Sequence, residues 1–293
     1  EEPLSSWAER PLAPDEAMLI DAYLRSRWHG SNDWIRFHRD PDYALTDDLS
    51  KLGLDPDKPI VVALTNVFWD ARLHYSTNAF ASQRDWLECT IRWFAGRPEL
   101  QLVIRVHPAE VTGSPASRQR AADEITADFP ELPPNVRVIP PTSAVSTYRL
   151  AQRRDCAIIY ATKTGIELAA IGIPVIAAGE AWVRNKGITS DASSEQDYIG
   201  LLEGLPVRKR LPAETVERAR RYAFHFFFRR MIPLEFIEPT GGPRRFSTRI
   251  GGLAELRRNA SVGLDVICNG ILSGTPFHMP EAAAVAIAQR VDD

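Results

Sequence analysis

The sequence predicts an α/β protein built on a Rossmann-like, doubly wound parallel sheet with flanking N- and C-terminal helices. Three observations point there. Five short apolar runs, rich in β-branched residues, recur between residues 59 and 178. Stretches with helical spacing separate them. The runs also lack polar alternation, so each presents an apolar side chain to both faces, as strands covered by helices do. Such strands, alternating with helices, join into a parallel sheet through right-handed crossovers.

Taken in order, residues 1–54 read as a helical and then irregular connector. In "APDEAMLIDAYLRSRW" a helix start is expected at Pro14-Asp15-Glu16, with Met18, Leu19, Ala22, Tyr23 and Trp28 in roughly helical spacing. After Gly30, "SNDWIRFHRDPDYALTDD" is rich in turn formers. The first predicted strand is "PIVVALT" (59–65), followed by "QLVIRV" (101–106), "VRVI" (136–139), "CAIIY" (156–160) and "PVIAA" (174–178). Helices are expected over 78–95, 117–128, 144–153 and 164–171, which bounds a domain at 55–205. Residues 206–293 are expected to be helices packing back on the sheet or on a partner domain.

Composition excludes several classes. A net charge of −3 with 25% charged residues is that of an ordinary soluble globular protein and speaks against a nucleic-acid partner. No apolar run reaches the roughly 18 to 20 residues of a membrane span, and no signal peptide is seen. Cys89, Cys156 and Cys268 are widely spaced, form no CxxC pair and read as reduced cytosolic thiols. Neither GxGxxG nor a P-loop is present, so no NAD or ATP assignment follows. The chain opens "EEPLSSWAERPL" and its first methionine is Met18, so it is expected to be a piece of a longer protein.

Ligands of open α/β sheets bind beyond the carboxyl ends of the strands, and three such ends carry polar residues. "LTNVFWDARLHY" places Thr65, Asn66, Asp70 and His74 in a long loop after the first strand. "IRVHPAE" places His107 at the exit of the second, held extended by Pro108, where an imidazole can donate to a phosphate or polarise a leaving oxygen; a plain His-Pro turn is the other reading. "YATKTGIELAA" places Thr162, Lys163 and Thr164 at a helix entrance and Glu167 one turn in. Free amides and the helix dipole there attract phosphate, and Glu167 could accept from ribose hydroxyls. The competing reading is a capping box, Thr164-x-x-Glu167. Asp40-Pro41-Asp42 and Asp55-Pro56-Asp57 imitate a metal-binding DxD but read as turns, so no metal site is expected.

In that order "VVALTNVFWD", "LVIRVHPAE", "YATKTGIELAAIGIPVIAAGEAWVRNKGIT" and "ARRYAFHFFFRR" resemble the capsule polysaccharide biosynthesis family, bacterial sugar transferases of the GT-B type that include Kdo transferases. The resemblance runs over about residues 15–275. It implies that 55–205 is a GT-B donor domain and that a first, acceptor-side domain lies upstream. It further implies a nucleotide-sugar donor, CMP-linked donors among the candidates, and a glycan or glycolipid acceptor, with no other cofactor. His107 and Pro108 would contact nucleotide or phosphate; Thr162, Lys163, Thr164 and Glu167 would hold the donor; Asn66 and Lys186 would assist. Asp70, with His107, would be catalytic. Relatives of this activity imply a cytoplasmic place, and Phe224–Phe228 flanked by Arg220, Arg221, Arg229 and Arg230 read either as core or as a contact with the inner membrane. The rival readings are a nucleotide-sugar epimerase and a non-catalytic scaffold in capsule assembly.

Overall fold

The computed structural model describes residues 4–29, 50–69, 75–113, 116–152, 155–240 and 246–291. They divide into two compact units, residues 22–220 and residues 1–21 with 221–293.

The larger unit is organised on a six-stranded sheet. Its strands are β1 (Ile60–Leu64), β2 (Gln101–Arg105), β3 (Val136–Ile139), β4 (Cys156–Ile159), β5 (Val175–Ala177) and β6 (Ser190–Asp191). All neighbours are parallel and the order is β3-β2-β1-β4-β5-β6. That order is the doubly wound one: the chain winds outward from β1 to β3, returns to the centre at β4 and winds the other way. Strands β1, β2 and β4 are buried along their whole length, β1 and β4 as unbroken apolar runs and β2 as an apolar run closed by Gln101 and Arg105. The sequence predicts five strands, and among the described residues this sheet has six. The sixth escaped because Ser190 and Asp191 form a two-residue polar edge with no apolar run to announce it.

Helix α1 (Pro14–His29) starts where Pro14 predicts, with Glu16 Oε2 accepting the Ala13 N–H at 2.9 Å. Helix α2 (Gln83–Ala95) begins later than the apolar spacing suggests. Ser82 is its cap, its hydroxyl accepting from Asp85 N, and the residues before it serve a loop. The α2 side chains Trp86, Leu87, Ile91 and Phe94 close one face of the sheet over Val61, Ala63, Leu102, Ile104 and Ile158. The polar edge of Trp86 in that layer is satisfied: its Nε1 donates to Tyr198 Oη at 3.0 Å. The remaining helices are α3 (Ala109–Thr112), α4 (Ala121–Asp128), α5 (Thr147–Gln152), α6 (Thr164–Ala170), α7 (Glu195–Leu202) and α8 (Ala213–Phe224). Gly165 lets α6 lie on the sheet, because a Cβ there would stand 2.7 Å from Ile159 Cδ1.

The smaller unit holds the aromatic segment. Tyr222, Phe224, Phe226 and Phe227 are buried, and Trp7 packs on Tyr222 with ring centroids 4.9 Å apart. Those rings are core, which is the first of the two readings the sequence offers for this segment. A π turn (His225–Arg229) swings Arg229 inward, where Nε donates to Met279 O at 2.9 Å and Nη1 to Ser6 O at 2.7 Å. A short hairpin, β7 (Ile237–Pro239) with β8 (Phe246–Thr248), then leads to α9 (Val262–Ser273) and α10 (Glu281–Val291).

Candidate functional site

The strand order puts the exits of β1 and β4 side by side at the point where the winding reverses, the place where ligands of such sheets bind. Residues of β1, β2 and β4 meet there. Thr65 leaves β1 buried, and its hydroxyl accepts the His107 N–H at 3.0 Å. His107 is thus fixed to the neighbouring strand exit by its backbone. Its ring is fixed by a second bond: Ala109 N donates to Nδ1 at 3.1 Å. With Nδ1 accepting, the neutral imidazole carries its proton on Nε2, and Nε2 is the donor. Pro108 is buried at the head of α3, its carbonyl accepting from Val111 N and Thr112 N, so it serves to set the corner.

Across β1, the β4 exit holds Thr162, Lys163 and Thr164, all half-buried. Thr162 Oγ1 accepts from Thr164 N at 3.3 Å and donates to Thr164 Oγ1 at 3.2 Å. Gly165 N bonds Thr162 O and Ile166 N bonds Lys163 O. The amides that were expected to be free at this entrance are therefore closed on the turn itself, and of the two hydroxyls only Thr164 keeps a hydrogen for an anion, because Thr162 donates its own to Thr164 Oγ1. The capping box does not form either: Lys163 is the cap residue and makes no side-chain capping bond.

Glu167 departs most from expectation. It is 1% exposed, and Oε1 accepts from Tyr23 Oη at 2.9 Å and from Arg27 Nε at 3.1 Å, while Oε2 accepts from Tyr148 Oη. These donors occupy the carboxylate that was expected to meet a ribose, and they clamp α1 and α5 to α6. Burial first, then the Glu167 charge, raises the Tyr23 and Tyr148 hydroxyls well above the usual phenol range, so both stay donors. Asn66 is also occupied. Its Nδ2 donates to Ala161 O at 3.0 Å, its Oδ1 accepts from Val67 N, and Gln83 pairs with its backbone in both directions. Asn66 is thereby the stitch between the β1 and β4 exits rather than a group turned to a ligand. Lys186 lies in the β5–β6 connection, its carbonyl accepting from Arg218 Nε at 2.5 Å. Asp70 and His74 lie outside the described residues, as does Asp40-Pro41-Asp42. Asp55 forms a turn, its Oδ1 accepting Asp57 N at 2.9 Å.

Two groups were missed. Arg105 on β2 is 2% exposed, with Nη1 donating to Pro140 O at 2.5 Å and Nη2 to Ser143 O at 3.2 Å. Burial lowers its pKa to about 10, which still leaves a cation at neutral pH beneath the His107 corner. A lone arginine inside an apolar run gave no sign of function, only a break in the run. The other is Glu180, just beyond β5, where Thr77 Oγ1 donates to Oε2 at 2.5 Å. Among the described residues, no group of three or more His, Cys, Asp or Glu side chains is placed to hold a metal ion.

The sequence profile of the capsule polysaccharide biosynthesis protein family matches residues 40–209, more than half of the chain. The chain belongs to this family. No curated protein matches it. Among solved structures, the capsule family chain is similar to the beta Kdo 2,4 transferase of Thermosulfurimonas dismutans KpsC. That match has 15% identity and a TM-score of 0.43, over 72% of this chain and 56% of the other. A KpsC beta Kdo 2,7 transferase from the same organism aligns at 14% identity and a TM-score of 0.39, over 81% and 59%. The UDP-GlcNAc 2-epimerase of Neisseria meningitidis, solved with UDP-GlcNAc, aligns at 14% identity and a TM-score of 0.40, over 61% and 49%. Likeness of this degree decides nothing about substrate. The chain spans between 49% and 59% of the length of these structures. Among the described residues, no helix is long and apolar enough to cross a membrane.

Proposed function

We propose that the unit of residues 22–220 binds the nucleotide-activated sugar of a glycosyltransferase acting in capsule or surface polysaccharide synthesis. The observation that carries this reading is the convergence at the winding reversal. His107 Nε2–H stands on one side of β1 and Thr162, Lys163 and Thr164 on the other, with the Asn66–Ala161 bond tying the two exits together. At ordinary strand spacing the two groups are about 10 Å apart, a gap that a phosphate or diphosphate bridges. The Lys163 ammonium, the Thr164 hydroxyl and the imidazole N–H supply positive charge and donors, with Thr162 orienting the Thr164 hydroxyl, and buried Arg105 adds a fixed cation nearby.

Glycosyl transfer breaks the bond between the anomeric carbon and the phosphate oxygen, so negative charge grows on the leaving phosphate. Donors already oriented toward that oxygen stabilise the transition state more than the ground state. The fixed tautomer gives His107 this role. In this reading the leaving group is neutralised by side chains, and the glycan or glycolipid acceptor is brought by parts of the enzyme beyond this unit. Glu167 and Asn66 act by holding the two entrances in place.

The test is a thermal-shift series with CMP, UDP and GDP on the wild type, His107→Ala and Thr164→Ala. A specific ligand at a hundredfold excess over its Kd stabilises the native state by about 2.7 kcal/mol. One nucleotide is expected to raise the melting temperature of the wild type, and each substitution is expected to weaken its binding at least tenfold with little change in the unliganded melt. If none of the three shifts a well-folded wild type, the donor-site reading fails.

A further inference from the structure

The segments 75–79 and 178–182 run beside one another at the same end of the sheet. Ala79 N donates to Ala178 O at 2.8 Å, Glu180 N to Asn78 Oδ1 at 2.6 Å, and Thr77 Oγ1 to Glu180 Oε2 at 2.5 Å. A turn closed by Asn78 N on Tyr75 O, 3.0 Å, folds Tyr75 back onto this pair of segments. Two residues with exposed rings lie close in the chain to the Thr77–Glu180 bond. Tyr75, 46% exposed, precedes Thr77 by two positions, and Trp182, 55% exposed, follows Glu180 by two. Each ring is therefore anchored within about 7 Å of the bonded pair along the backbone.

Among the described residues, one oxygen of the Glu180 carboxylate accepts a hydrogen bond. Thr77 takes Oε2, and Arg184 Nε stands 3.8 Å from the same oxygen, beyond hydrogen-bonding distance. Among the described residues, no donor reaches Oε1. The Thr77 bond fixes the rotamer, so Oε1 is pre-oriented rather than loose. Two aromatic faces beside an oriented carboxylate suit a ligand that has both apolar C–H faces and hydroxyl donors. A pyranose ring has both. Charged acceptors bind hydroxyls more strongly than neutral ones, which gives the carboxylate a role that an amide could not fill as well.

The position matches the phosphate seat. Gly179 N donates to Tyr160 O at 3.0 Å, and a Cβ on Gly179 would stand 2.8 Å from that carbonyl. Tyr160 leads straight into Ala161 and Thr162, so the Glu180 segment is pressed against the strand exit that carries the proposed phosphate contacts. In a nucleotide sugar the sugar hangs on the terminal phosphate.

We propose that Tyr75, Glu180 and Trp182 form the subsite for the transferred sugar, with Glu180 Oε1 accepting from its hydroxyls and the rings covering its faces. This rests on the glycosyl-transfer reading above. The experiment is calorimetry on the wild type, Glu180→Gln, Trp182→Ala and Trp182→Phe. The probes are CMP, UDP and GDP and their conjugates CMP-N-acetylneuraminate, UDP-glucose, UDP-N-acetylglucosamine and GDP-mannose. For the nucleotide that binds, at least one conjugate is expected to bind tenfold or more tightly than the bare nucleotide. Glu180→Gln and Trp182→Ala are expected to bring that conjugate down to the level of the nucleotide, leave the nucleotide itself unchanged and keep the melting temperature. Trp182→Phe should retain most of the gain. The subsite is overturned if the substituted proteins keep the tighter binding, or if no conjugate outbinds its bare nucleotide. Failure of every nucleotide and conjugate to bind the wild type would instead sink the transferase reading, and the subsite with it.

Discussion

Glu167 and Glu180 follow neighbouring strands of one sheet, β4 and β5, and their carboxylates are used in opposite ways. Glu167 sits on the inner side of a short helix, 1% exposed, with two phenols and a guanidinium closing on both oxygens. Glu180 sits in a loop with 32% of its side chain exposed, one oxygen bound by a threonine and the other open among the described residues. Burial separates them. A carboxylate taken from water must be met by protein donors, and once met it has nothing left for a ligand. A carboxylate fixed by a single bond at a strand exit is oriented at small cost and keeps its capacity. Proximity to the ligand-binding end of a sheet is therefore not enough to nominate a group; the number of donors it already accepts decides.

The largest expected effect breaks the Glu167 side of the comparison. Glu167→Ala takes a carboxylate away from the Arg27 guanidinium, 10% exposed, and an acceptor away from the Tyr23 and Tyr148 hydroxyls. Removing one partner of a buried pair costs about 3–5 kcal/mol. Urea denaturation is expected to show a loss of that size, whereas Glu180→Gln stays within about 1 kcal/mol of the wild type, as for a substitution at an exposed site. A loss below about 1 kcal/mol for Glu167→Ala would mean that the cluster is not a clamp.

A middle-sized effect sharpens the Glu180 side. Gly179→Ala puts a Cβ 2.8 Å from the Tyr160 carbonyl, a backbone atom that cannot swing away. Forcing that contact is expected to cost about 1–3 kcal/mol and to push Glu180 off the strand exit. Gly200, inside α7, has nothing within 4 Å of where a Cβ would stand. Gly200→Ala is expected to stabilise by about 0.4–1 kcal/mol through the unfolded chain alone. Thermal melts of the two variants should move in opposite directions. The same sign for both would dissolve the argument that Gly179 is needed for close approach.

Much of the fold was legible because its cause is local. The "PIVVALT", "QLVIRV" and "CAIIY" runs are largely apolar on both faces, and their regular alternation with helical stretches is the pattern of covered parallel strands. His107 was legible because Pro108 marks a strand exit. What could not be read is pairing across long distances in the chain. Nothing near Glu167 in sequence shows that Tyr23 and Arg27 will reach it, and nothing near Glu180 shows that Thr77 will. The start of α2 was misplaced for the same reason: Asn78 is drawn to Glu180 N, which leaves Ser82 to cap the helix. Spacing can suggest a capping box at Thr164 and Glu167, but tertiary donors outbid it.

A third carboxylate gives the smallest effect and tests the same rule through pH. Glu110 is fully buried beside the His107 corner, its Oε1 accepting Ala121 N–H at 2.9 Å, and its Oε2 has no partner among the described residues. It stands between the two cases, buried like Glu167 but donor-poor like Glu180. Burial raises its pKa, outweighing the Ala121 bond and the Arg120 charge. A carboxyl whose folded pKa lies above its unfolded value of about 4.3 gives its full stabilisation below that value. The stabilisation is lost as the pH rises through the folded pKa, because the unfolded chain ionises more easily. Glu110→Gln keeps an acceptor for Ala121 N–H and cannot ionise. Relative to the wild type, the variant should therefore gain stability as the pH is raised from about 4 toward 7. Any cost of the extra amide donor is a constant offset and leaves that slope intact. Denaturant midpoints for both proteins across this range measure it. A difference that is flat with pH, or one that grows in favour of the wild type, would show Glu110 to be as fully compensated in the fold as Glu167.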